Sequence, residues 1–208
     1  MIIAVDGPLA SGKGTIAKAL AAHFTLPHLD TGSLYRATAV AVLDAGIDPD
    51  NEVAAAAVAR GLDLAGIDEA RIRTAEAGAM ASRIAALPAV RAALYDLQRA
   101  FAQQPGGAIL DGRDIGTVIC PDARVKLYIT ANAETRADRR WRELTAKGEA
   151  ISYETVLTQT RERDARDSGR ADAPMRAADD ANLLDTSSLS IDAAIAAAIR
   201  IVDNARKA

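Results

Sequence analysis

Short, continuous apolar runs alternate along the chain with longer stretches of helical periodicity. Residues 2–5 form the first run and end in Asp6-Gly7. His28-Leu29-Asp30 is a weak second. Residues 108–112, entered through Pro105-Gly106-Gly107, are a third, 125–130 a fourth and 182–186 a fifth. Such runs read as buried parallel strands. Helical patterns lie between them, at 13–24, 34–43, most of 52–104, 133–145 and 153–166, with Gly61, Gly66 and Pro88 as punctuation. A last helix follows Ser190, a residue type that caps helix starts. Its Ile191, Ile195, Ala198 and Val202 share one apolar face. The alternation predicts an α/β fold on a parallel sheet. There is no internal repeat, and the alanine run 54–57 suits a helix.

The 208 residues fit one domain with a full core. Half are hydrophobic, which excludes a wholly disordered chain. Aromatics are only 3%, so the core must be built from Ala, Leu, Ile and Val. Lys and Arg total 25 against 28 Asp and Glu. That balance argues against a nucleic-acid coat protein, which needs net positive charge. The single cysteine, Cys120, excludes an internal disulfide and a cysteine-rich zinc site. His23 and His28 read as a helix-end and a strand-start residue. The first apolar run is too short, and lacks the basic flank, for a signal peptide. No stretch approaches the roughly 18 apolar residues of a membrane helix. The expectation is a soluble, cytoplasmic monomer with no membrane or nucleic-acid partner.

The clearest chemistry follows the first strand. Gly7, Pro8, Leu9, Ala10, Ser11, Gly12, Lys13, Gly14 and Thr15 nearly match G-x(4)-G-K-[ST], a loop whose backbone amides wrap phosphate oxygens. The following helix N-terminus adds positive potential. Lys13 can reach the outer phosphates. Gly14 stands where the usual motif has the magnesium-binding hydroxyl, and Thr15 comes one place later. This predicts Mg2+ held mainly through nucleotide oxygens and water, with Thr15 and Asp111 as the candidate protein groups. For Asp111, a plain strand-end turn residue is an equal alternative.

Two further loops end strands. In Asp30-Thr31-Gly32-Ser33-Leu34-Tyr35-Arg36, Thr31 can bond a phosphate and Arg36 can clamp it bidentately. Alone, this would read as a helix cap and a surface arginine. Asp111-Gly112-Arg113-Asp114-Ile115-Gly116-Thr117 is the second. Ligands of open α/β sheets bind beyond the carboxyl ends of strands. Thr31, Arg36, Arg113 and Asp114 are therefore expected on the same rim as Lys13.

The phosphate loop, Asp-Thr-Gly-x-x-Tyr-Arg and Asp-Gly-Arg-Asp-Ile-Gly-Thr together resemble bacterial cytidylate kinase, a P-loop nucleoside monophosphate kinase family. So does Arg163-Asp164-x-x-Asp167-x-x-Arg170, and the likeness runs to about Val202. The resemblance implies a five-stranded parallel sheet in order 2-3-1-4-5 with helices on both faces. It implies a core of 1–32, 105–135 and 171–208, an acceptor arm of about 33–104 and a lid of about 136–170. It implies transfer of the γ-phosphoryl of ATP to CMP or dCMP, in pyrimidine nucleotide metabolism. Thr31, Arg36 and Arg113, with Gly112 beside it, would hold the acceptor phosphate, and Tyr35 would pack near the sugar. Ser82, Arg91 and Asp114 would meet the cytosine edge. Arg163 and Asp167 would contact the ribose, and Arg170 sugar and phosphate. For Ser82 and Arg91 the plain alternative is a solvent-facing helix pair. The family carries a small β-rich insertion in its arm, whereas 62–74 here has little room for three strands.

Arg136, Arg139, Arg140 and Arg142 crowd one helix, with Arg139 and Arg140 expected to point apart. Arg161, Arg163, Arg166 and Arg170 follow the Lys147-Gly148 break. Charge runs are usually solvated faces. Flanking a hinge, they resemble kinase lids, and Arg136 and Arg140 join Lys13 and Arg113 as catalytic candidates. Trp141 reads as a hinge packing residue. The competing readings are a UMP or AMP kinase and a P-loop switch without turnover.

Overall fold

The structure is a computed structural model, and it describes residues 1–63 and 66–207. Five strands form one sheet: β1 (Ile2–Asp6), β2 (His28–Asp30), β3 (Ala108–Gly112), β4 (Val125–Thr130) and β5 (Asn182–Asp185). Their order is β2-β3-β1-β4-β5, and the β1–β3, β1–β4 and β4–β5 pairs are parallel. Central β1 places Asp6 beside Gly112 of β3 and Tyr128 of β4. The chemistry-bearing loops therefore leave neighbouring strands at the same end.

Strand alternation sorts the two faces. Ile3, Val5, Ile109, Leu127 and Ile129 pack against Ile16, Ala17 and Leu20 of α1 (Lys13–Phe24) and Ala194, Ala198 and Val202 of α9 (Ile191–Lys207). Ala4 and Asp6 point the other way, toward a π-helical turn at Ile115–Ile119. This turn was not anticipated. The predicted face of α9 needs one correction: Ile191 is 67% exposed. It sits at the helix start, before the helix reaches the sheet, and Ala194 takes its place in the core.

By internal contacts the chain divides into two compact units. One comprises Met1–Leu29 and the chain from Gln104 onward; the other is Asp30–Gln103. The second is helical: α2 (Thr31–Asp44), α3 (Glu52–Arg60), α4 (Glu69–Ile72), α5 (Ala75–Ile84) and α6 (Pro88–Ala102). Its core is built from Leu34, Ala39, Val42, Ala55, Ile84, Val90 and Leu94. Between 62 and 74 the described residues contain α4 and no strand.

In the first unit, α7 (Ala133–Ala146) and α8 (Tyr153–Ser168) pair around Ala137, Leu144 and Val156. Trp141 packs edge-on against Tyr153, with centroids 6.5 Å apart, and its Nε1 donates to the Ile151 carbonyl at 3.0 Å. The helix pair thus has a small core of its own. Asn132 and Ser152 cap the two helices through the amides of Thr135 and Thr155.

Candidate active site

The phosphate loop is strained where an anion-wrapping loop must be. Gly7 has φ +149°, and a Cβ there would meet the Ile129 carbonyl oxygen at 2.0 Å, so no other residue fits. Ala10 and Gly12 also have positive φ. Gly12 starts α1 without a side-chain cap, whereas Ser190 caps α9 through the Ala193 amide at 3.2 Å. The first amides of α1 are thus not taken by a cap. Lys13 Nζ donates to the Pro8 carbonyl at 3.3 Å and so folds back over the loop. Ser11 Oγ is buried with no hydrogen-bond partner among the described residues.

The loop is braced from behind. Thr186 Oγ1, at the end of β5, donates to the Ser11 carbonyl at 2.9 Å. Arg139 of α7 donates to Thr186 Oγ1 at 3.0 Å and to its carbonyl at 2.7 Å. Arg136, only 4% exposed, donates to the carbonyls of Ala131 (2.8 Å) and Leu9 (3.3 Å) and pairs bidentately with Asp164 of α8 (3.0 and 2.5 Å). Beside the loop lies a cavity of about 270 Å³, lined by Ser11, Thr15, Arg139, Arg140, Glu143 and Ile191 among others. Arg139 and Arg140, expected to point apart, both line it, because long side chains converge where their Cα positions do not. Arg140 is held there by Glu143 at 2.8 Å.

Beyond β3, Asp167 of α8 gathers three arginines. Arg113 Nε donates to it at 3.0 Å, Arg170 donates to its other oxygen, and Arg163 Nε stands 3.8 Å away. Asp167 is 1% exposed. Burial pushes its carboxyl up, but the charges of Arg113, Arg170 and Arg163 outweigh that and hold it below the usual range. Arg113 also donates to the Gly112 carbonyl at 3.2 Å. Arg170 Nε is buried with no hydrogen-bond partner among the described residues.

Asp111 Oδ2 faces α1, 3.8 Å from where a Cβ of Gly14 would stand. Its Oδ1 bonds His28 Nε2 at 2.7 Å. His28, read from sequence only as a strand-start residue, therefore orients this carboxylate. Asp6 accepts from the amides of Ile115 (2.8 Å) and Gly116 (2.7 Å). Burial pushes its carboxyl up to about 7 against the lowering effect of those two bonds. The bracing and orienting contacts of Asp6, His28, Arg139 and Thr186, and the cavity, were all missed. Each partnership joins distant parts of the chain, and no spacing rule reports it.

In the Asp30–Gln103 unit, Thr31 starts α2 in a buried position. Arg36 Nη2 donates to Asp30 at 2.7 Å, while its Nε is buried without a hydrogen-bond partner among the described residues. Tyr35 is buried, and Arg91 lies over its ring, with Cζ 5.9 Å from the centroid. Ser82 and Arg91 are 2% and 6% exposed, which excludes the solvent-facing alternative.

The family model described as cytidylate kinase matches residues 3–204. The chain belongs to this family. Among cytidylate kinases, that of Methylocella silvestris is 58% identical over 205 residues, covering 99% of this chain and 95% of that protein. That of Xanthobacter autotrophicus is 60% identical over 206 residues, covering 99% of each. The fold is also similar to a solved structure of an uncharacterized protein from Eubacterium ventriosum, with TM-score 0.57 over 98% of each chain at 15% identity. The α/β fold expected for a cytidylate kinase, with its 2-3-1-4-5 sheet, is the one observed. Among the described residues no helix is long and apolar enough to cross a membrane.

Proposed function

We propose that this chain transfers the γ-phosphoryl of ATP to CMP or dCMP, giving ADP and CDP or dCDP. Besides the family, the supporting observation is the cluster on Asp167. Three guanidinium groups converge there in a largely buried place, a donor set whose geometry suits an anionic ligand. Gly7 to Thr15 take the ATP phosphates, and the cavity lined by Arg139, Arg140 and Ile191 takes the donor's base. CMP is held by Thr31, Tyr35, Arg36, Ser82, Arg91, Gly112, Arg113, Asp114, Arg163, Asp167 and Arg170.

The chemistry is positioning and charge stabilisation. An oxygen of the CMP phosphate attacks the γ-phosphorus in line. The bond from that phosphorus to the oxygen of ADP breaks, and ADP leaves. The attacking oxygen is already anionic, so no strong base is required. Lys13 and Arg113 stabilise the transferring charge, and Arg136 and Arg140 join them only when the lid exchanges their partners Asp164 and Glu143 for phosphate. Mg2+ fits the donor set in a limited way. No group of three His, Cys, Asp or Glu side chains lies ready for a metal among the described residues. Asp111 faces the first turn of α1, and Thr15 is exposed beside the cavity. These two would hold the ion's water while nucleotide oxygens hold the ion, whose charge offsets that of the phosphates. We place the enzyme in the cytoplasm as a monomer, with 33–104 as acceptor arm and 136–170 as lid.

An ADP-release assay across CMP, dCMP, UMP, AMP and GMP tests the reading. CMP and dCMP are expected to lead, because Asp114 can accept from the cytosine amine but opposes the uracil carbonyl. Asp114→Ala should lower CMP turnover and narrow the CMP:UMP ratio of kcat/KM by about tenfold or more. Arg36→Ala should weaken both substrates alike. UMP leading in the wild type, or no turnover with any acceptor, would remove the assignment in favour of another kinase or a switch.

A second prediction concerns α7 and α8. Amide exchange across 136–170 should slow when ATP and CMP analogues are bound together, as the arginines settle on phosphates and exclude water. Exchange that ignores ligands would mark this helix pair as static.

A further inference from the structure

Asp6 ends β1 on the face turned away from α1 and α9, and it is 5% exposed. Each of its carboxylate oxygens takes one amide, from Ile115 and from Gly116. Those amides open the π-helical turn. The first N–H groups of a helical turn have no acceptor behind them, and both residues are buried. Leaving two such donors unmade would be costly. The turn's own bonds run from the amides of Val118 (2.8 Å) and Ile119 (3.2 Å) back to the carbonyl of Asp114. Asp114 is therefore fixed from both sides: its carbonyl by the turn, and the two residues after it by Asp6. Packing is close, since a Cβ on Gly116 would stand 3.2 Å from Lys126 Cδ and 3.4 Å from Asp6 Oδ2.

We infer that Asp6 is a positioning residue for acceptor choice: by gripping the amides of Ile115 and Gly116 it sets where Arg113 and Asp114 stand, and through them the preference for cytosine. This rests on the reading above, in which Arg113 and Asp114 contact CMP. Asp6 itself touches no substrate. Its two oxygens are matched to two donors, a pattern that an amide side chain cannot reproduce, because one oxygen becomes an NH2 group aimed at an N–H.

Asp6→Asn tests this in the full chain. The CMP:UMP ratio of kcat/KM should fall by about tenfold, the equivalent of one lost buried hydrogen bond, while the KM for ATP stays within about twofold. Added to Asp114→Ala, the substitution should narrow the ratio no further, because both act through one group. The amides of Ile115 and Gly116 should exchange faster, and that of Leu127 in β4 should not. If Asp6→Asn does not fold, Asp6→Ser, which is smaller and still accepts one amide, is measured in the same way. A variant that keeps the CMP:UMP ratio, or that raises the KM for ATP and CMP together, overturns the inference. A wild type without preference for CMP overturns the underlying reading as well, and so separates the two failures.

Discussion

Lys13→Ala is expected to lower kcat by about 10²-fold or more while the protein stays folded. The lysine is the only cationic side chain in the phosphate loop, and its Nζ donates to the Pro8 carbonyl at 3.3 Å, folded over the loop. With phosphates in the loop, the ammonium has a stronger partner available within the reach of one side chain. A preorganised charge acting on a transferring phosphoryl group is worth about 3–4 kcal/mol of barrier. The fold does not depend on it, because α1 docks through Ile16, Ala17 and Leu20. Steady-state kinetics with both substrates saturating, together with a thermal melt, checks both halves. An unchanged kcat would take Lys13 out of the chemistry; collapse of the melt would make it structural.

Asp167→Asn is expected to damage both stability and CMP use. The carboxylate is the shared partner of Arg113, Arg163 and Arg170. Removing one side of a buried ion pair strands the other, at a cost of about 3 kcal/mol or more. The figure belongs near the low end, since Arg113 and Arg163 retain some solvent contact. Without their common anchor the guanidinium groups lose alignment, and kcat/KM for CMP should drop by about tenfold to a hundredfold.

The pH dependence carries a sign. Asp167 has a lowered folded-state value, against about 3.9 when unfolded. Its stabilisation is present above pH about 4 and is lost as pH falls through the folded value. The gap in stability between wild type and Asp167→Asn should therefore shrink on acidification from pH about 5. Denaturant melts that stay parallel over that range would show that the carboxylate is not held ionised by its neighbours.

How far the chain could be read in advance follows from the range of each interaction. All five strands lie within a residue of their apolar runs; the inner strands β1, β3 and β4 are buried as such runs require, whereas the edge strands β2 and β5 are half-buried and largely exposed, respectively. Ser190 was legible as a cap because the bond it makes spans three residues. Helix α2 starts at Thr31, earlier than its periodicity announces, since its first residues are polar and small. Ile191 was misread because periodicity gives a face but not where along the helix the sheet begins to cover it.

The arginine pattern 163-x(6)-170 placed two cations and Asp167 on one stretch of chain, but Arg113 reaches Asp167 across 54 residues. Ser82 and Arg91 could be named by resemblance alone, and their burial became visible only when α2, α5 and α6 came together. Local sequence thus determined the strands, the phosphate loop, the Ser190 cap and the family. Tertiary structure decided the partners: Asp6 with the turn 109 residues away, His28 with Asp111 across 83 residues and Thr186 with Ser11 across 175. A hydrogen bond needs two atoms within about 3 Å, and only the register of parallel strands, which places Asp6 beside Gly112, brings such distant atoms that close.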